Sequence, residues 1–404
     1  MLQLSPETIA PLRTAAIALA LVVSAPVSAQ PAGPQTPPLD LRLDWTQFVS
    51  SAVAGSGDFA PRYGGRADVY ADIDGEGIGL WNGLTIKAQG EFVYGRSVNR
   101  VGSRVLLPVN TALNFPSNDS EDFDLSVNIV QRIGRVRIQA GKINMLDQST
   151  AIPIVGGGGK EGFQHIGIAS PPALIASPKI LGALVSVPVG KVVLTGGVWA
   201  PDDWTKQFGP GRFFSDGVDG MAVVLIPAKI GGKQGFHNFS VFVTSRQRRS
   251  ADDFPDITLP PILDNVPVPK RGGAYFKYGV QQYLWQDPAD RKRGFGLFGH
   301  VGVSQGTPEI LSWSMTAGAA GSVPFASRPS DTVGLGYFRL ALNNKFIRTV
   351  EPLLPLKDEQ GVEFYYTAQL IPAIRLTGNI QVVDSAFANA PTALYAGIRA
   401  KTSF

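Results

Sequence analysis

The sequence holds no cysteine and only three histidines, His165, His237 and His300. Without cysteine, disulfide staples and every thiolate-based redox or metal site are excluded, so the 404 residues must cohere without cross-links. The histidines show no ligand spacing such as H-x-x-x-H, which argues against imidazole-held metal and leaves no cofactor implied. Charge is scarce as well: 17% of residues are charged, and the net +4 is spread along the chain. The one basic cluster, RQRRS at 246–250, runs straight into Ala-Asp-Asp. No basic stripe with stacking aromatics exists, so nucleic acid is not an expected partner. Long apolar runs are also missing. The strongest, TAAIALALVV at 14–23, is about half of the ~20 residues that a spanning helix needs. It lies between Arg13 and the small residues Val27 and Ala29, the layout of a signal peptide cleaved before Gln30. The expected organisation is a signal peptide at 1–29, a Pro-rich segment at 30–40, and one domain filling 30–404.

What the chain does have is strict alternation. In GVEFYYTAQL, Val362, Phe364, Tyr366, Ala368 and Leu370 share one face, while Glu363, Tyr365, Thr367 and Gln369 share the other. In IRLTGNIQV, Ile374, Leu376, Ile380 and Val382 oppose Arg375, Thr377, Asn379 and Gln381. RVRIQA sets Val136, Ile138 and Ala140 against Arg135, Arg137 and Gln139. LTIKAQGEF sets Leu84, Ile86, Ala88 and Phe92 against Thr85, Lys87, Gln89 and Glu91. Reading every such run predicts about sixteen strands of about ten residues each, the format of a transmembrane β-barrel. The expected spans are 41–53, 66–74, 84–94, 121–132, 135–142, 180–188, 191–199 and 217–227. The second half continues with 236–245, 273–285, 294–304, 311–321, 332–341, 360–371, 374–383 and 394–404.

The connections fall into two classes. Tight turns are expected at Ile133-Gly134, Val189-Gly190 and Pro372-Ala373, and long Pro/Gly-rich loops at 95–120, 143–179, 246–272 and 342–359. Short periplasmic turns alternating with long extracellular loops are what an outer-membrane barrel requires. Only 305–310 is short where a long loop is due. A soluble barrel of so many strands would enclose a large void behind an apolar inner face. With lipid outside, the apolar faces turn outward and the charged faces line a water-filled lumen. The closing strand ALYAGIRAKTSF fits, with Leu394, Ala396, Ile398, Ala400 and the terminal Phe404 on one face.

Two enzyme motifs overlap in RGFGLFGHVGVSQG at 293–306. Gly294, Gly296 and Gly299 match G-x-G-x-x-G, and Gly302, Ser304 and Gly306 match G-x-S-x-G. A dinucleotide fingerprint must open a helix, and a nucleophile elbow must lead into one. Here the glycines lie within a strand whose lipid face is Phe295, Leu297, Val301 and Val303, and Thr307-Pro308 follows. Both matches are false, and no catalytic residue is expected. The acidic DIDGEG, with Asp72, Asp74 and Glu76, lacks the distal glutamate of a calcium loop and reads as a hairpin turn. Gly156 to Lys160 is followed by Glu161 rather than Ser or Thr, so it reads as a flexible loop piece and not a phosphate loop. Asp119, Glu121, Asp122 and Asp124 read as a solvated acidic rim. Trp45, Trp199, Trp204 and Trp285 sit near strand ends, where interfacial girdles occur.

The predicted pore lining comprises Arg66, Asp68, Lys87, Gln89, Glu91, Arg135, Arg137, Gln139, Glu363, Arg375, Gln381 and Arg399. Its first five members lie on two neighbouring strands, where opposed charges would narrow the pore.

At the level of whole segments the chain resembles the carbohydrate-selective porins of Gram-negative outer membranes, over roughly Tyr63 to Phe404. The segments are YGGRADVYADIDG, GLWNGLTIKAQGEFVYG, LPVNTALNFP, IQAGKINMLDQ, FSDGVDGMAVV, GFGLFGHVGVSQGTPE, GVEFYYTAQLIPAIRLTGNIQVV and the closing GIRAKTSF. It departs from the family at Gly378-Asn379 and Asp384-Ser385, where Pro-Asp and Asn-Pro are usual. The resemblance implies a sixteen-stranded barrel that passes sugars by diffusion, with loops folded in to narrow the lumen. The longest loop, 143–179, is the first choice for that role. The expected function is passive diffusion of small hydrophilic solutes, sugars foremost, and not an enzyme activity. The alternatives are a general or differently selective porin on the same scaffold, or an exported β-rich carbohydrate-binding protein or enzyme. The expected surroundings are outer-membrane lipid and lipopolysaccharide, insertion would use the barrel-assembly machinery, and a homo-oligomer is compatible with the pattern.

Overall fold

The structure, a computed structural model, describes residues 38–404 apart from 100, 115–120, 171–176, 208, 210–212, 216, 249–269, 307–310, 326 and 352–353. The expected signal peptide at 1–29 and most of the Pro-rich segment lie outside the described residues.

Sixteen strands form one closed antiparallel barrel in which each strand pairs with its sequence neighbours and β1 pairs with β16. The strands are β1 (Leu39–Ala54), β2 (Arg62–Asp74), β3 (Leu84–Gly95), β4 (Asp122–Ile133), β5 (Val136–Asn144), β6 (Lys179–Val189), β7 (Val192–Trp199) and β8 (Asp219–Ile230). They continue as β9 (Lys233–Arg248), β10 (Lys270–Gln286), β11 (Gly294–Gly306), β12 (Leu311–Ser322), β13 (Thr332–Leu342), β14 (Glu359–Ile371), β15 (Ile374–Asp384) and β16 (Ala393–Ser403). Every expected strand is present. Phe404 follows β16 as an exposed terminal residue, its backbone hydrogen-bonded to Leu43 of β1.

Two turns begin one residue later than expected. The connecting pairs are Gly134-Arg135 and Gly190-Lys191, because Gly134 and Gly190 adopt φ of 57° and 58°. That left-handed conformation suits the first position of a two-residue hairpin turn, so the preceding strand runs up to the glycine. Gly231-Gly232 forms another two-residue turn between the expected spans 217–227 and 236–245, since β8 continues through Pro227 to Ile230. Pro372-Ala373 stands as read.

The outer surface is apolar. Val69, Phe92, Val127, Leu297, Val301, Leu335, Phe364 and Ile380 point outward and are exposed. Charged and amide side chains from the alternate positions are buried inside the ring. An apolar exterior around a closed sheet satisfies every backbone group within the sheet and suits lipid, not water.

Among the described residues, three short α-helices occur in the connections: α1 (Met145–Gln148) and α2 (Ile166–Ala169) between β5 and β6, and α3 (Asn344–Val350) between β13 and β14. Gly156 to Lys160 is no loose tether. Backbone hydrogen bonds from Lys160 and Glu161 to the Gly157 carbonyl tighten it, and Lys160 is buried inside the barrel.

Candidate functional site in the barrel lumen

The β3–β4 and β5–β6 connections fold into the lumen and are held there by two kinds of contact. The first is ionic and lies along β2–β6. Register sets Asp68 of β2 opposite Glu91 of β3, and Glu91 opposite Asp124 of β4. Arg66 donates through Nε and Nη2 to the two oxygens of Asp68 at 2.8 and 2.5 Å and also pairs with Glu91. Its Nη1 donates to the Ala112 carbonyl at 2.9 Å, tying down the β3–β4 loop. Glu91 continues to Lys179 of β6, which donates to Asp124 at 2.7 Å, and Asp124 also takes Lys142 at 2.5 Å. At the other end, Lys160 of the β5–β6 loop reaches Asp147 at 2.7 Å, the Tyr70 hydroxyl at 2.6 Å and Asp68 at 3.7 Å.

These groups form a chain of alternating sign: Asp147, Lys160, Asp68, Arg66, Glu91, Lys179, Asp124, Lys142. Alternation gives each buried charge opposite neighbours, which is what offsets the cost of desolvation. Burial disfavours the charged form of Lys160, but Asp147 and Asp68 outweigh it and raise its pKa above the ordinary lysine value.

The second kind of contact is a seat on β10–β14. Phe163 of the loop meets Tyr365 edge-on at 4.8 Å and Phe298 at 5.5 Å. His165 stacks on Phe338 at 4.0 Å, and its Nδ1 accepts from the Gly167 N–H at 3.1 Å. Burial alone lowers the His165 pKa to about 3, so the ring is neutral. Gly334 and Gly336 of β13 leave room for these rings, because a Cβ at either would press on Phe163. Glu363 completes the seat by accepting the Gln164 and His165 N–H groups at 2.7 and 2.9 Å.

Between the two walls, β1, β15 and β16 frame a cavity of about 480 Å³ at the turn end of the barrel. Arg42, Asp44, Tyr70, Glu161, Arg375 and Lys401 are among its lining residues. Arg42 lies 4.0 Å over the Tyr70 ring. Glu161 accepts from Arg375 at 2.7 Å and from Lys401 at 2.6 Å. Burial opposes its ionisation, yet Lys401 and Arg375 prevail and hold its pKa at about 2. Arg399 donates to the Gly159 and Gly162 carbonyls, both at 3.1 Å, so it clamps the loop from β16.

Of the residues singled out in the sequence, Arg66, Asp68 and Glu91 meet in the ionic chain, with Gln89 beside them at 3.4 Å from Asp68. Lys87 stands apart, paired with Asp72 nearer the turn end. Gln139 donates to Asn128 at 2.9 Å and accepts from Arg137 at 2.7 Å. Glu363, Gln381 and Arg399 contact loop backbone, Gln381 through the Val109 carbonyl at 2.9 Å. Arg375 faces the cavity. Arg135 does not belong with them: it is exposed in the Gly134-Arg135 turn, off the inward face.

The acidic rim is corrected too. Asp124 is fully buried between two lysines and Asp122 pairs with Lys206, while Asp119 lies outside the described residues. Trp199 and Trp204 are buried and so form no interfacial girdle, whereas Trp45 is exposed.

Sequence reasoning missed Lys142, Asn144 and Lys179, and it read Asp124 only as part of a solvated rim. Gln139 and Lys142 sit an odd number of residues apart, yet both reach inward partners. The alternation slips at Gly141, which has φ of 126° and pairs with Gly182 of β6. A glycine within each of two neighbouring strands was the available signal.

A closed sixteen-stranded barrel with an apolar exterior and loops folded into a charged lumen defines the outer-membrane porin class. Within that class, the family model described as "Carbohydrate-selective porin, OprB family" matches residues 59–404, and the chain belongs to that family. Porin B of Pseudomonas aeruginosa is 27% identical over 142 residues, a stretch covering 31% of this chain and 31% of that protein. The alignment thus spans about a third of that relative's length. Among solved structures, the high-pH structure of Pseudomonas putida OprB aligns with a TM-score of 0.79 at 16% identity, covering 91% of this chain and 94% of that one. The outer-membrane channel DcaP of Acinetobacter baumannii gives 0.55 at 11% identity, covering 91% and 97%. Both share the barrel fold.

Proposed function

We propose that the chain is a passive outer-membrane channel for small hydrophilic solutes, with sugars preferred. The observation that carries this reading is the 480 Å³ cavity, whose wall alternates charged, hydroxyl and aromatic groups beneath the inward loop. Arg42 on Tyr70, with Asp44 and Lys401 alongside, offers an amphipathic surface suited to hydroxylated rings: hydrogen bonds at the rim and a ring face at the centre. The inward-facing set from Arg66 to Arg399 then lines or narrows the route, and Arg66, Asp68 and Glu91 form the charged part of the constriction. The long connections face the cell exterior, the turns and Phe404 face the periplasm, and residues 1–29 are removed on export. No catalytic turnover is expected. Ser304 ends up on a strand with its hydroxyl buried and without a hydrogen-bond partner among the described residues.

Liposomes reconstituted with the purified barrel and exposed to graded sugars and charged solutes test this reading. Swelling in neutral monosaccharides that exceeds swelling in organic anions or cations of equal size is expected. Failure of every solute to permeate overturns the channel function.

A further inference from the structure

The wall formed by β9, β10 and β11 carries a pocket that the ionic chain and the cavity do not use. Its floor is Gly279 of β10, flanked in register by Asn238 of β9 and His300 of β11. Because Gly279 has no side chain, the space between those two residues is open: even an added Cβ would sit 3.9 Å from each neighbouring Cβ. Two positions earlier on β10, Lys277 enters the same space, and Ile152 and Ile168 of the inward loop close it over. The void is about 40 Å³, room for a species of very few heavy atoms and far too small for a sugar ring.

The chemistry of the lining is one-sided. Lys277 is 4% exposed and, among the described residues, makes no hydrogen bond or ion pair; its ammonium lies 5.9 Å from the Phe242 ring centroid. Asn238, also 4% exposed, accepts the Ser240 hydroxyl at 2.6 Å on Oδ1, which leaves its Nδ2 donor buried and unpaired. The Nε2 of His300 is buried and without a partner among the described residues too, and in the tautomer protonated there it is a second donor. A buried ammonium needs a counter-charge, and buried donors need an acceptor. Among the described residues, no carboxylate lines the void.

We propose that this pocket binds one small monovalent anion, of halide size, held by Lys277, Asn238 and His300, and that the anion helps to seat the β5–β6 loop against the wall. The ion sits behind the loop, off the solute route, so its role is to hold the constriction in place. A single acceptor-rich ion satisfies the ammonium and both donors at once. A water molecule would answer the donors but leave the charge uncompensated.

Crystals of the detergent-solubilised barrel grown in sodium bromide provide the direct test. An anomalous bromide peak above Gly279, in contact with the Lys277 ammonium, is expected. Ordinary water density there, with no anomalous signal, overturns the proposal. In solution, replacing gluconate by chloride at constant ionic strength should raise the heat-modifiability midpoint saturably, by about 2 °C or more. Lys277→Met should abolish that increment. An equal rise with sulfate, which is too large for the void, or an undiminished rise in Lys277→Met, also overturns the site. Should Lys277→Met fail to assemble, the bromide peak in the unmodified barrel decides alone.

Discussion

The two walls that grip the inward loop solve one problem with different physics. Along β2–β6 the hold is a chain of eight alternating charges, strong only while every link is present. Along β10–β14 it is ring packing around Phe163, backed by two charge-assisted bonds to Glu363. Removing one partner of a buried ionic chain strands its neighbours, whereas removing a ring leaves a cavity and takes away its burial. The ionic wall therefore fixes a row of charges along the lumen, and the apolar wall sets where the loop sits.

The largest expected effect breaks the apolar wall. Phe163→Ala should cost the loop's seating about 3–5 kcal/mol while the strands still close. Single-channel recordings should show larger, noisier conductance, and the loop should become protease-sensitive. Unchanged conductance would place the grip elsewhere.

Breaking the ionic wall comes next. Glu91→Ala leaves Arg66 and Lys179 facing each other without their shared carboxylate, a loss of about 3 kcal/mol. Ion selectivity should move toward anions, and the change should shrink as salt rises, which the Phe163→Ala effect should not do. Reversal potentials in a salt gradient measure this directly.

A smaller effect is expected outside both walls. Phe92 adjoins Glu91 but points outward and is exposed near the loop end of β3. Phe92→Arg should cost about 1–2 kcal/mol of assembly, below the 2–4 of a midplane site, and leave selectivity unchanged. Should Phe92→Arg alter selectivity while Glu91→Ala blocks assembly, the assigned facing is inverted.

The smallest effect is acid sensitivity at the cavity rim. Glu161 is ordinarily a group of pKa 4.5 and is held at about 2 by Lys401 and Arg375. Its contribution is present above pH 4.5 and declines as pH falls toward 2, where the folded carboxylate takes up its proton. Its side chain is 41% exposed, so solvent screening keeps the effect modest. Conductance should be flat from pH 7 to 4 and rise only below about 3, as the folded carboxylate takes up its proton, and Glu161→Gln should show the acid form at every pH.

The strands were legible because a sheet between lipid and water forces a period of two, and Phe364, Tyr366 or Leu297 then declare their side without tertiary information. The tight turns were off by one where a glycine at φ near 60° claims the first turn position, and this is why Arg135 fell out of the lumen. The site was legible by half. Arg66, Asp68 and Glu91 sit on regular strands, whereas Lys142, Asn144 and Lys179 lie beyond the Gly141–Gly182 slip. Lys160 and Phe163 were invisible for another reason. A loop's fold is decided by the wall it meets, and Gly156–Lys160 carries no periodicity of its own.

Closure of the ring has a kinetic consequence. β1 pairs with β16, matching Val49 with Ile398 across almost the entire chain. Such sequence separation makes the β1–β16 pairing the last of the ring's contacts to become available, so no chain lacking Ala393–Ser403 can seal itself. Until Ala393–Ser403 docks, β1 and β15 each present a row of unpaired amides and carbonyls to any passing strand. The nascent chain must therefore be kept apart from its copies until that strand docks, and loss of β16 alone would turn a sealed cylinder into an adhesive sheet.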